Sequence, residues 1–303
     1  MVPQCRPIEC VALATTQGAL SMSYLITRNR LQRAFYTVAL LLTTVITAPA
    51  AQTISPELDR GYNNMYNLDF AAAHSDFKAF MAAHPEDPLG PVSDAATFLF
   101  TEFDRLGILD IELFANDDRL DNRARPAANP QLRSTFNDRT QQADRLADII
   151  LSKTPNDANA LFAKTLVAGL RSDYAAFIEK SDFTALKFSK QGTALGARTL
   201  KADPQLYDAH LAGGIQNYML SLKPAPIRFL ARMSGASTNK AKGISEVSIT
   251  AQQGHYLAPF ARLMLAVAEL RDGNKDKAKS ILGGLAQQFP RNTLYSRQLS
   301  RIH

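Results

Sequence analysis

From residue 55 onward, apolar residues return every three or four positions, and no stretch alternates with a period of two. This pattern predicts helix after helix and no sheet. Ser55-Pro56-Glu57 has the chemistry of a helix start. A hydroxyl accepts from free N–H groups, proline stands where no N–H is needed, and an acid lies at the positive end of the dipole. This first helix is expected to reach about Asn67. Asp69 then caps a second helix, in which Phe70, Ala73, Phe77 and Phe80 share one face. His84-Pro85 ends it, because the residue before proline avoids helical angles. Further helices are expected over 91–114, 131–153, 157–171, 182–202, 205–221, 238–253, 257–271, 275–288 and 291–301. Residues 115–130 hold Asn, Asp, Arg and two prolines without periodicity and are expected to form a loop.

Certain small and large residues fall where paired helices need them. Gly61 and Ala73 permit close approach, Phe77 fills the groove between helices, and Pro85 stops the hairpin. Near the C-terminus Gly273-Asn274 makes a turn, Ala278-x3-Leu282 supplies the packing pair, and Pro290 closes the unit. Weaker closures stand at Lys153-Thr154-Pro155 and Ala202-Asp203-Pro204. Gly61, Ala73-x3-Phe77 and Pro85, with Phe70 and Phe80, resemble the tetratricopeptide repeat. The chain departs from that pattern where Glu57 replaces an early Trp and Asn64 a Tyr. Its four closing prolines are also unevenly spaced. The resemblance implies an all-α, irregular array of antiparallel helical hairpins, an α-solenoid over 52–303 with possible sub-blocks 52–115, 131–221 and 222–303.

A second likeness covers residues 212–298. Gly213-Gly214, Asn217-Tyr218, Lys223-Pro224 to Gly235, Gly243-Ile244, Gly254-His255-Tyr256 and Phe289-Pro290-Arg291-Asn292 resemble an uncharacterised family of exported bacterial tetratricopeptide proteins. A more distant likeness is to the eukaryotic tetratricopeptide-39-type proteins. Both imply a fold and no assigned reaction.

Upstream of the array the pattern changes. Arg28, Arg30 and Arg33 precede an apolar run, Ala34–Thr47, which exits through Ala48-Pro49-Ala50. A basic start, an apolar centre and small residues three apart make a signal peptide over 22–51, cleaved after Ala50 or Ala51, with Met22 as the better start. Residues 1–51 are therefore expected to be a leader, and the protein to be exported to the periplasm or envelope of a bacterium. An uncleaved N-terminal anchor is the alternative, although the run is short against the ~20 residues that span a bilayer. An internal core helix is a further alternative. No cysteine follows the run, so no lipid anchor is expected there. Cys5 and Cys10 are the only cysteines and would leave with the leader.

The formal charge of +6 shrinks when residues 1–50 are set aside. They hold four arginines and Glu9, which leaves 30 basic and 27 acidic residues in the body. So mild a balance is not the footprint of a nucleic-acid-binding domain. The five histidines form no metal-binding pair. No Gly-x-Ser-x-Gly elbow occurs, and Gly235 to Lys240 lacks the second glycine and preceding strand of a phosphate loop. Asp117, Asp118 and Asp121 lack calcium-loop spacing and are offset by Arg119, Arg123 and Arg125. No enzyme, metal or cofactor is expected.

Two features point to binding. Tyr62 and Tyr66, with Met65, lie at helical spacing on the first helix and either grip a peptide on a concave face or belong to the core. The interval between Asp208 and Glu246 contains no acid but holds Lys223, Arg228, Arg232, Lys240 and Lys242. Within it Ile227, Phe229, Leu230 and Met233 interleave with two arginines in what reads as a short helix. Such a segment docks on an anionic membrane or an acidic partner, or is a packed connector with a basic rim. The leading expectation is a non-catalytic scaffold or adaptor for a protein or peptide. The alternative is peripheral envelope docking through residues 223–242.

Overall fold

The computed structural model describes residues 55–111 and 127–302. The expected leader, Cys5, Cys10 and the acidic run Asp117, Asp118 and Asp121 lie outside the described residues.

Most of the helices begin where a local acceptor or a proline allows it. Ser55 caps α1 (Pro56–Tyr66) and Asp69 caps α2 (Phe70–Ala83) through side-chain bonds to free backbone N–H groups. Next comes α3 (Leu89–Arg105), and Asn129 caps α4 (Pro130–Lys153). Asp157 caps α5 (Ala158–Tyr174), which widens into a π-type turn, Ala175–Glu179. The chain continues through α6 (Asp182–Ala202), a tight turn at Tyr207–Ala209 and α7 (His210–Ser221). After α8 (Ala225–Met233) follow α9 (Lys240–Gln253), α10 (Ala258–Arg271), α11 (Lys275–Gln288) and α12 (Thr293–Arg301). Among the described residues every element is helical.

Three boundaries differ from expectation, for local reasons. α3 was expected to reach residue 114 but stops at Arg105. There Gly107 takes a left-handed φ of 66°, and the N–H groups of Gly107 and Ile108 turn back to Asp104 and Phe103. α5 runs past its expected end at residue 171 until Lys180, at φ 56°, stops the π-type turn. The segment expected to be helical from residue 205 starts as a tight turn before α7.

Consecutive helices pack antiparallel. In the first pair Gly61 lies against the Phe77 ring so closely that a Cβ on it would stand 2.3 Å from Cε1. Ala73, Phe77 and Phe80 are buried there, and Phe70 packs against the same core. In the third pair Thr165 faces Gly196 and Thr199, while Ser172 reaches the carbonyl of Ala185. α10 and α11 bury Ala278 and Leu282. The fourth pair is α7 with α9. A Cβ on Gly243 would lie 2.6 Å from the backbone nitrogen of Tyr218, and one on Gly214 2.8 Å from Val247. α8 belongs to no pair. It sits in an excursion, residues 222–239, between the two halves of the fourth hairpin.

The last helices also meet the first. Tyr66 donates its hydroxyl to the Tyr256 carbonyl at 2.8 Å, and Asn292 donates to the Tyr66 carbonyl at 2.9 Å. Arg291 bonds Asp69 and Asn64, each at 2.8 Å, and Arg301 pairs with Asp110 at 3.2 Å. The turns after α9 and α11, which hold Tyr256 and Phe289, therefore seat on the face of α1 that an open array would leave free.

Candidate docking surface

α8 is built by local rules. Pro224 precedes it, and Pro226 stands in its first turn, where no N–H partner is needed. Gly235, at φ 85°, ends it, with N–H groups of Gly235 and Ala236 turned back to the carbonyls of Arg232 and Ala231. This stop needs a residue free to take the left-handed conformation. Ala231 and Ala236 are both buried. The excursion is tied to the body where Lys190 donates to the Ser234 carbonyl and the Asn239 N–H donates to the Asn217 side chain.

The rest of α8 faces outward. Ile227 is 48% exposed, Phe229 61%, Leu230 65% and Met233 72%. These are four of the six exposed large hydrophobic residues among those described. At 100° per residue they span one arc of about 160°, with Ala231 just beyond Ile227, Arg232 beyond the other edge at Phe229, and Arg228 on the far side of the helix. Arg228 donates to the Lys223 carbonyl at 3.1 Å and Arg232 to the Thr238 hydroxyl at 2.9 Å. The Lys190 ammonium of α6 donates to the Ser234 carbonyl at the end of α8. Among the described residues no carboxylate pairs with Lys223, Arg228 or Arg232.

The acid-free interval does not present five unpaired cations. Lys240 pairs with Asp272 at 2.5 Å and Lys242 with Glu246 at 3.7 Å. Both acids come from outside the interval: Asp272 is brought to Lys240 from the end of α10, and Glu246 stands one turn on from Lys242 in α9 itself. Among the described residues the cations of the interval without a carboxylate partner are Lys223, Arg228 and Arg232.

Tyr62 and Tyr66 lie inside the core, the second of the two placements expected for them. Tyr62 stacks on Tyr256 with ring centroids 4.7 Å apart, meets Phe77 edge-on at 5.4 Å and accepts a hydrogen bond from Ser93. Tyr66 packs on Phe289 at 5.3 Å. Burial holds both phenols above the ordinary range.

The buried polar groups join helices. Asp94 is fully buried and holds the His74 ring at 2.5 Å and the Arg139 guanidinium at 2.6 Å, so that α2, α3 and α4 meet on one carboxylate. Asp208 accepts from the N–H groups of His255, Tyr256 and Leu257 and shapes the turn that carries Tyr256 to α1. Burial nevertheless raises its pKa. An apolar cavity of about 30 Å³ beside Tyr66, Phe100, Phe260 and Tyr295 has space for a water or two. Among the described residues no three His, Cys, Asp or Glu side chains gather as a metal set, and no helix is long and apolar enough to cross a membrane.

Comparison with known proteins adds no name to this geometry: no family model, no curated protein and no solved structure matches the chain.

Proposed function

We propose that this chain is a non-catalytic scaffold of tetratricopeptide-like hairpins, exported by its leader over 22–51, that docks peripherally on an anionic membrane through α8. The observation that carries the reading is the outward exposure of Ile227, Phe229, Leu230 and Met233 on a helix that buries Ala231. A helix with an apolar arc and a basic edge lies in the interface plane, its apolar side in the acyl boundary and its cations among the headgroups. The excursion leaves and rejoins a hairpin whose helices already pack tightly through Gly214 and Gly243, so α8 is displayed at little cost to the core.

The energies suffice for reversible docking. Full burial of each large apolar side chain stabilises by about 1.5–3 kcal/mol. Each cation close to an anionic surface adds about 1 kcal/mol. Lys223 and Arg232 contribute to the second effect; Arg228 stands on the far side of α8, and Lys240 and Lys242 are already paired. A bilayer supplies negative charge and hydrocarbon together, as α8 requires. The adaptor reading, in which first-helix aromatics hold a peptide, is disfavoured by the burial of Tyr62 and Tyr66.

The test is co-sedimentation of the purified chain with vesicles of phosphatidylcholine, with and without phosphatidylglycerol. Binding should require the anionic lipid and weaken at high salt. The variant Phe229→Ser/Leu230→Ser/Met233→Ser should lose binding and melt like the parent. Chain recovered from cell membranes should begin near Ala51 or Gln52. Equal binding by parent and variant, or none by the parent, would overturn the reading. Capture of a stoichiometric protein through α8 without vesicle binding would replace the bilayer with a protein partner.

A further inference from the structure

We infer that the docking face has a second anchor, the outer stripe of α6 formed by Phe183, Lys187 and Lys190, so that the protein meets an anionic bilayer through two elements in one fixed orientation. This rests on α8 being a membrane-docking helix. Phe183 is 83% exposed, the most exposed large hydrophobic side chain among the described residues. It stands at the start of α6, with Lys187 and Lys190 four and seven residues on. At 100° per residue all three lie on one stripe, with Lys190 about 10 Å along the axis from Phe183. The buried side of α6, Gly192, Leu195, Gly196 and Thr199, is turned the other way, into α5 and α7.

Two contacts bring this stripe beside α8. The first is from Lys190 to the Ser234 carbonyl at the end of α8. The second is the antiparallel register of α6 and α7, in which Thr193 donates to the carbonyl of Ala212. Ten residues back from Thr193 is Phe183, and ten residues on from Ala212 is Leu222, where the excursion begins. α8 thus leaves the array level with Phe183 and ends level with Lys190. The local charge is mixed but net positive. Lys180, Lys187 and Lys190 stand against Asp182 and Glu179, and Glu179 is occupied by Arg133 at 2.8 Å.

The chain contains no tryptophan, so a single introduced indole reports its own surroundings. The test uses Phe183→Trp, Phe229→Trp and Ile149→Trp, with vesicles of phosphatidylcholine and phosphatidylglycerol that carry brominated acyl chains. Ile149 is 55% exposed near the C-terminal end of α4. Because α4, α5 and α6 alternate in direction, it stands at the opposite end of the array from Phe183. The expected result is blue-shifted, quenched emission from Phe183→Trp and Phe229→Trp and unchanged emission from Ile149→Trp. Phe183→Ser should bind these vesicles about tenfold more weakly than the parent. Quenching at position 229 without quenching at 183 would overturn the second anchor and leave α8 docking intact. Quenching at neither position would remove the docking reading itself. Equal quenching at 149 would show that there is no fixed orientation.

Discussion

The hydroxyl of Tyr66 donates to the backbone carbonyl of Tyr256 at 2.8 Å across 190 residues of chain. Both partners are buried, and the bond ties α1 to the turn between α9 and α10. It is one of the contacts through which the last hairpins seat on the first. Tyr66→Phe keeps the ring against Phe289 but leaves that carbonyl without its donor. Loss of a buried partner costs about 1–3 kcal/mol. Thermal unfolding should fall by several degrees, with the far-ultraviolet helical signal unchanged at low temperature. A melting temperature equal to the parent's would mean that closure contributes nothing to stability.

The contact between Gly61 and Phe77 gives the second prediction. Phe77→Ala removes a fully buried ring from the first hairpin and should cost about 3–5 kcal/mol. Gly61→Ala places a methyl group 2.3 Å from the Phe77 ring and should also destabilise. Combining the two should cost less than the sum, because the smaller residue at 77 removes the obstacle. A double-mutant cycle by urea unfolding measures this coupling, and strict additivity would mean that the two positions do not touch.

Asp173 gives a pH dependence. It lies one residue before the end of α5, and burial pushes its carboxyl from 3.8 up to about 7. The folded protein therefore holds a proton there that the unfolded chain has released. Stability from this group is fully present below about pH 4 and is lost as pH rises towards 7. Asp173→Asn keeps the neutral form at every pH. Relative to the parent it should gain stability between pH 4 and pH 7 and hold a constant advantage above. Parallel stability curves for parent and variant across that window would refute the assignment.

Local chemistry was legible from the chain alone. Ser55 and Asp69 mark helix starts because a side-chain acceptor next to free N–H groups acts within three residues. The shared face of Ala73, Phe77 and Phe80 follows from the helical period, and the amphipathic segment 225–233 could be seen before its surroundings were known. Gly254-His255-Tyr256 and Phe289-Pro290-Arg291-Asn292 stand out as motifs in the chain, and in the fold they seat the last turns on α1. Nothing in the local order said so, because their partners Asp59, Asn64, Tyr66 and Asp69 are about 200 positions away.

What the sequence by itself determined is the run of helices and several of their starting points, since propensity, capping and periodicity act over one or two turns. Tertiary structure decided what each face meets. An aromatic stripe and an apolar stripe have the same periodicity whether they face core or water, and the packing sent Tyr62 and Tyr66 inward and Phe229, Leu230 and Met233 outward. It also brought Asp272 to Lys240, dividing a run of cations that the chain order had left whole. Periodicity reports that a face exists. Which face is buried depends on contacts between residues far apart in the chain, and those form only when the whole array packs.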